Sequence, residues 1–238
     1  IVEAVDTFIA TLPDIPRWVE VRGMLLSGRG QVYGLELDPT PTGIIFQPDT
    51  KLAAIVGRPR VDLIQEIAAQ ADEILVAPED VGWVTPALPN WIAESATLHL
   101  LKAPHLLTEP VSASVRLLNP NETQAMSALP PMLREELEIE SRAGTPIAAM
   151  WDAECPVAFC YAGAVTETLW DVAIDTLSFH RRKGYASQCF YYLARHMAQK
   201  GKHPVWGAVK SNLASAQLAT KLGFVAVDSL FVYSRDAA

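Results

Sequence analysis

The feature that most restricts the fold of this chain is the junction TLWDVAIDTLSFHRRKGYASQCFYYLARHMA, residues 168–198. Its first part, TLWDVAIDTL, reads as a strand. Its last part carries Ala186, Cys189, Phe190, Leu193, Ala194 and Met197 at spacings of three and four, which predicts a long helix with one apolar face. Only a short turn containing Gly184 separates them, so a strand hands over directly to a helix, as in α/β layers. The first turn of such a helix has amide N–H groups without intrahelical acceptors, at the positive end of the helix dipole. Glycine lets a ligand approach that backbone closely. His180, Arg181, Arg182 and Lys183 crowd positive charge at the helix end where cations are unfavourable. An anion is the expected reason for them; a basic helix start that is simply exposed is the reading that needs no ligand.

Around this junction the second half reads strand at 112–118, two helices broken at Pro130–Pro131, the first capped by Asn119 or Asn121, and strands at 146–151, 155–165 and 168–177. The helix after Gly184 follows, then a strand at 204–209, a helix at 212–222 and a final strand at 224–234. The first half opens with one or two packing helices over residues 1–26, interrupted at Pro13. A strand meander at 31–56 comes next, punctuated by Pro39, Pro41, Gly43 and Pro48, then a helix at 61–71 and strands at 73–77 and 96–103. Pro104 and Pro110 bracket the expected boundary, giving an N-terminal acidic α/β domain at 1–110 and a second domain at 111–238.

The charge also divides there. Residues 1–110 hold 7 Lys and Arg against 15 Asp and Glu, residues 111–238 hold 12 against 12, so the whole net charge of −8 lies in the first half. An acidic half argues against broad nucleic-acid or anionic-membrane binding, which needs a basic face. No apolar run is long enough to span a bilayer, and with Arg17 as the first basic residue no secretory leader is expected. Cys155, Cys160 and Cys189 form no C-x-x-C pair and have no histidine cluster beside them, so neither a disulfide framework nor a metal site is expected, and a cytoplasmic location fits.

The turn is neither a Walker loop nor a dinucleotide fingerprint, since both glycine patterns are absent. It matches R-x-x-G-x-A at Arg181, Gly184 and Ala186. About 30 residues on, PVWGAVKSNLASAQLATKLGF carries Asn212, Ser215, Lys221, Leu222, Gly223 and Phe224. Capping alone accounts for Asn212 as an N-cap and Gly223 as the C′ glycine. It does not account for the order and spacing of the two motifs. Over residues 111–235 the chain thus resembles the GNAT N-acetyltransferase superfamily, closest to a bacterial branch with an extra N-terminal domain.

That resemblance implies an α/β (α+β) fold: a mixed, mostly antiparallel sheet flanked by helices, with an N-terminal half that is a degenerate GNAT-like fold. It implies acetyl-CoA as cofactor, bound by Asp175, Thr176 and Leu177 on a splayed strand edge and by Arg181, Arg182, Lys183, Gly184, Tyr185, Ala186 and Ser187 at the pyrophosphate, with Asn212 and Ser215 near the thiol arm. Glu167 and Asp171 are its candidate bases, set against a reading as exposed strand carboxylates, and Asp175 shares the face of Asp171. The position most often acidic in the family falls nearer Trp170. The family's usual acid, a tyrosine seven residues after the motif asparagine, is Ala219 here, leaving Ser215, Tyr185, Tyr191 and Tyr233 as substitutes.

Glu135, Glu136, Glu138 and Glu140 read either as a solvated helix face or as an acidic lip for an amine. The implied activity is N-acetyl transfer to a small-molecule or peptide amine, without nucleic acid, membrane or metal. The alternatives are a catalytically weak acyl-CoA-binding sensor or interaction module, and a protein holding another phosphate. The apolar strand at 224–234 would suit pairing across a homodimer.

Overall fold

The computed structural model describes residues 2–102, 108–119, 122 and 125–235. Helices α1 (Val2–Thr11) and α2 (Val19–Leu26) precede an antiparallel meander of β1 (Gln31–Glu36), β2 (Thr42–Gln47) and β3 (Leu52–Val56). Helix α3 (Val61–Ala68) crosses to β4 (Glu73–Val76), parallel to β3, and the short α4 (Val81–Val84) leads to β5 (Trp91–Leu101). The second half begins with β6 (Val115–Leu117) and α5 (Pro131–Arg142) and then repeats the order. A meander of β7 (Ile147–Asp152), β8 (Cys155–Val165) and β9 (Leu169–Thr176) is followed by α6 (Tyr185–Ala198). The chain crosses to β10 (His203–Val209), parallel to β9, and ends with α7 (Leu213–Lys221) and β11 (Phe224–Arg235).

The 11 strands form one sheet, ordered β1-β2-β3-β4-β11-β5-β10-β9-β8-β7-β6. The last strand of each half sits among the strands of the other: β5 lies between β10 and β11, and β11 lies between β4 and β5. Leaving out the edge strand β6, exchanging β1–β5 with β7–β11 in order and reading the sheet from its other end reproduces this order, which is a pseudo-twofold repeat about the antiparallel β5–β11 pair. The N-terminal half is thus a second copy of the same strand and crossover plan, and the sheet runs unbroken from one half into the other.

Helix α2 joins the halves on one face, packing against β2 of the first and against β8 and β9 of the second. Val19, Val21, Arg22, Gly23, Met24 and Leu25 are all buried, as expected of a helix covered on every side. The approach to β8 is close enough that a Cβ on Gly23 would lie 2.6 Å from the Ala164 Cβ. On the opposite face α6 and α7 cover a core in which Phe190 sits against Trp170, Trp206 and Phe224.

Three expectations change. Strand β5 begins at Trp91, five residues before the alternation read from residue 96, because Trp91–Ser95 pair with Phe231–Arg235, a partner 136 or more residues away that local pattern does not report. Between Asn119 and Pro130 the first predicted helix is reduced among the described residues to a 3-10 turn at Ala125–Ala128, and Asn121 lies outside them. The Asn119 amide donates to Glu122 Oε2 at 2.9 Å. Finally, β11 pairs with β5 along its length but with β4 only over Phe231–Ser234, so the edge left for pairing across a dimer is limited to Phe224–Leu230.

Candidate active site

The parallel strands β9 and β10 pair only at His203↔Leu169, Pro204↔Trp170 and Val205↔Asp171. Beyond that point Ala173–Thr176 stay with β8 and Trp206–Val209 stay with β5. The two strands therefore fork after Asp171, leaving two facing edges whose N–H and C=O groups are unpaired across the opening. Such a crevice at the carboxyl ends of parallel strands is where open α/β sheets bind ligands. An extended chain can add to a free edge by β-type hydrogen bonds.

The turn HRRKGYA closes the wide end of the fork. Gly184 is in the left-handed conformation, φ 81°, and is the N-cap of α6 without a side-chain cap. A Cβ built on it meets nothing within 4 Å, so the space over this backbone is open. The first turn of α6 contains no acidic residue. Gln188 N–H donates to Gly184 O at 3.2 Å, starting the helical ladder and leaving the amides of Tyr185, Ala186 and Ser187 directed out of the helix end. Arg181 Nε donates to Thr176 O at 3.1 Å, which folds the cation back over the end of β9. Arg181, Arg182 and Lys183 form no salt bridge among the described residues, although eleven such bridges occur elsewhere. His180 does pair, Nε2 to Asp152 Oδ2 at 3.3 Å, and stacks on Tyr185, so it flanks the turn. Three unpaired cations around free helix amides form a donor set that fits a diphosphate.

On the other face of the sheet, Asp171 stands where the strands part. Its carboxyl faces that of Glu20, from α2, close enough for the two to share a proton. Burial pushes both carboxyls above their ordinary values, Glu20 further because the charge of Asp171 adds to it. Glu140 and Glu73 also face Glu20 and act in the same direction. The pair holds a proton that an isolated surface carboxylate would lose, which suits proton exchange with an amine. Glu20 was invisible to motif reading; its one sequence signal is a carboxylate within a helix whose other positions are nearly all buried.

The remaining expected residues fall into separate groups. Asp175 accepts from the Thr176 amide at 2.6 Å, and the Leu177 amide donates to Val157 O at 3.0 Å, so both shape the end of β9. Asn212 Oδ1 accepts from the Ser215 amide at 3.1 Å, the capping role expected of it, and Gly223 takes φ 86° after α7. The Ser215 hydroxyl accepts from Trp206 Nε1 at 2.9 Å, so its own hydrogen remains available. Ala219 is fully buried. Glu167 is not brought to the fork. It lies before the start of β9, the end opposite the turn, paired with Arg22 of α2, while its carbonyl accepts from Lys202 Nζ at 2.8 Å. Of the acidic helix residues, Glu140 is 4% exposed and held by Arg29 at 2.9 and 3.2 Å, and Glu136 accepts from the Tyr161 hydroxyl. Glu135 and Glu136 stay exposed and Glu138 half-exposed, so α5 keeps a solvated acidic face while Glu140 alone of the four is buried.

Residues 143–233 match the family model described as GNAT acetyltransferase. No curated protein matches the chain. Among solved structures, a GCN5-related N-acetyltransferase-like protein from Streptococcus suis shares the fold with a TM-score of 0.72 and 17% identity, over 98% of each chain. A putative acetyltransferase of the GNAT family from Novosphingobium aromaticivorans follows with a TM-score of 0.66 and 16% identity, over 94% of this chain and 98% of that one. A GNAT-family acetyltransferase from Colwellia psychrerythraea aligns with a TM-score of 0.58 and 11% identity, over 97% and 94%. The likeness spans both halves, so the doubled architecture is shared. Among the described residues no helix is long and apolar enough to cross a membrane.

Proposed function

We propose, from the match of residues 143–233 to the GNAT acetyltransferase family model, that the chain transfers an acetyl group from acetyl-CoA to a primary amine by direct attack of the neutral amine on the thioester. The observation that carries this reading is the fork between β9 and β10, which opens at one end onto an uncapped, cation-rich helix start and narrows at the other to a half-buried carboxyl pair. Acetyl-CoA supplies the electrophilic thioester carbonyl. The amides of Tyr185, Ala186 and Ser187 with Arg181, Arg182 and Lys183 would hold its pyrophosphate, and the free edge of β9 up to Thr176 would hydrogen-bond its pantetheine arm.

Asp171 takes one proton from the arriving ammonium group, which frees the nitrogen lone pair for attack. Glu20 keeps its own proton and donates it in a hydrogen bond to Asp171, so the site bears one negative charge rather than two when the cation arrives. In this reading Ser215, whose hydroxyl accepts from the Trp206 N–H, relays the second proton shed by the attacking nitrogen to the departing sulfur, the role that Ala219 has no group to fill. In sum, an ammonium acceptor and a thioester yield an amide, a thiol and one proton, and that proton leaves through Asp171. In this reading residues 111–238 hold the cofactor, and residues 1–110 contribute α2 and the frame of the acceptor face. A cytoplasmic location, where acetyl-CoA and reduced thiols are both available, suits the free cysteines Cys155, Cys160 and Cys189.

Thiol release from acetyl-CoA over a panel of primary amines tests the reading. Asp171→Asn should lower kcat by roughly 10²–10⁴-fold, the usual contribution of a positioned general base, while acetyl-CoA affinity is kept. An unchanged kcat would remove Asp171 from the chemistry. Acetyl-CoA binding without release for any amine would make the chain an acyl-CoA-binding module instead.

A further inference from the structure

A second opening lies in the seam between the halves, beside the carboxyl pair. It is a cavity of about 270 Å³ bounded by the end of α2, the loop before β7, the end of β8 and a single residue of β2, Gln47. The polar groups around it are already engaged. Arg29 is held by Asp49 at 3.0 Å and by Glu140, the Thr145 hydroxyl donates to Glu140 at 2.6 Å, and the Ser27 hydroxyl donates to Met24 O at 3.1 Å. Gln47 differs. It is only 6% exposed, yet its carboxamide makes no hydrogen bond with any described residue, and it lines the cavity. Its carboxamide is therefore left facing the cavity, free to hydrogen-bond a ligand there.

The cavity meets the chemistry at Gly163, which lines it; a Cβ built there would lie 3.3 Å from Asp171 Oδ2, so the missing side chain leaves a passage to the carboxylate. The cation at the far end, Arg29, is already held by both Asp49 and Glu140, so no free positive charge there calls for an anionic tail. The volume lies below the usual range for drug-sized ligand sites, about 300–1,000 Å³, which favours a compact molecule over a folded protein surface.

We propose that this seam cavity is the acceptor subsite, that Gln47 is its specificity-determining residue, and that the acceptor is a small primary amine whose tail ends in a neutral hydrogen-bonding group such as a carboxamide or hydroxyl. The proposal rests on the acyltransfer reading above and adds to it the acceptor class and a contribution from the first half of the chain.

The test compares 3-aminopropanamide, propylamine and β-alanine as acceptors for the wild type and Gln47→Leu, with thermal melting to confirm that the variant folds. The wild type should favour the amide over propylamine by about fivefold in kcat/KM, and Gln47→Leu should collapse that ratio towards one, since one satisfied hydrogen bond is worth about 1 kcal/mol. A wild type that prefers β-alanine, or a ratio that Gln47→Leu leaves in place, overturns the proposal. Saturation-transfer NMR with 3-aminopropanamide alone reads the cavity without turnover. Signal in the wild type that is lost in Gln47→Leu supports the subsite even if acetyl transfer fails, and no signal in the wild type overturns it. Acetyl-CoA binding measured in parallel reports separately on the acyltransfer reading.

Discussion

The parallel pairs β3–β4 and β9–β10 occupy equivalent places in the two halves, and only one of them opens. The first pairs from Leu52↔Glu73 to Ile55↔Val76, the full length of β4, whereas the second parts after Asp171. The turns that follow differ in the same sense. In the first half Gly57 has φ 65°, but a Cβ there would meet Pro41 O at 2.6 Å, so the space over it is filled by the chain entering β2. Arg58 faces Asp80 at 3.7 Å, and Arg60 is paired with Asp62 inside the first turn of α3. In the second half the space over Gly184 is open and the three cations after His180 have no carboxylate. Topology supplies a possible crevice twice; whether it can take an anion is decided by strand zipping and by which arginines are already neutralised. The first half has become a frame, holding α2 and β5 in place for the second.

The most severe way to separate the two halves functionally is Asp171→Asn, for which the kcat loss given above should occur with folding intact. Next comes Gly23→Val, which drives a branched side chain into Ala164 and should cost about 1–3 kcal/mol of stability. Because α2 serves both halves, unfolding should remain a single transition at a lower temperature; two transitions would show that the halves fold separately despite the shared sheet.

Glu20→Gln sharpens the comparison through pH. Both folded carboxyls titrate above their ordinary values of 4.5 and 3.8, so the stability they favour is complete below those values and is lost as pH rises through the raised folded ones. Glutamine donates the same hydrogen bond and cannot ionise, so the variant should lose part of this decline, read as a flatter dependence of melting temperature on pH. Its kcat profile should keep a rising acid limb, since Asp171 still titrates, and disappearance of that limb would assign the proton to Glu20 instead. Smallest of all, Glu167→Gln should change stability by less than about 1 kcal/mol, because its carboxylate is 49% exposed beside Arg22, and should leave the rate of acetyl transfer unchanged.

What the sequence made legible follows the range of the interactions involved. The strand, turn and helix around Gly184, the cap at Asn212 and the glycine after α7 are set by neighbours within a few residues, and each is found as read. Exchange of β5 and β11 between the halves depends on residues far apart in the chain, so local alternation gave the start of β5 late and did not show that β11 sits inside the sheet, between β4 and β5. The same limit applies at the site. Asp171 was within reach because it lies on the strand leading to the motif, while Glu20 and Gln47 arrive from α2 and β2, and no spacing links them to it. Glu167 has the right residue type close in sequence, but strand direction carries it to the wrong end.

The measurement closest to the central claim is calorimetric titration of acetyl-CoA into the wild type, Gly184→Asp, and the double variant Arg58→Ala with Arg60→Ala. Aspartate at residue 184 must adopt a positive φ, at about 1–2 kcal/mol, and sets a negative charge where the pyrophosphate would sit. One site per chain in the wild type, lost in Gly184→Asp and kept in the double arginine variant, is the predicted result. Binding that survives Gly184→Asp, or that disappears with the arginines of the first half, would place the ligand away from the fork and contradict the account.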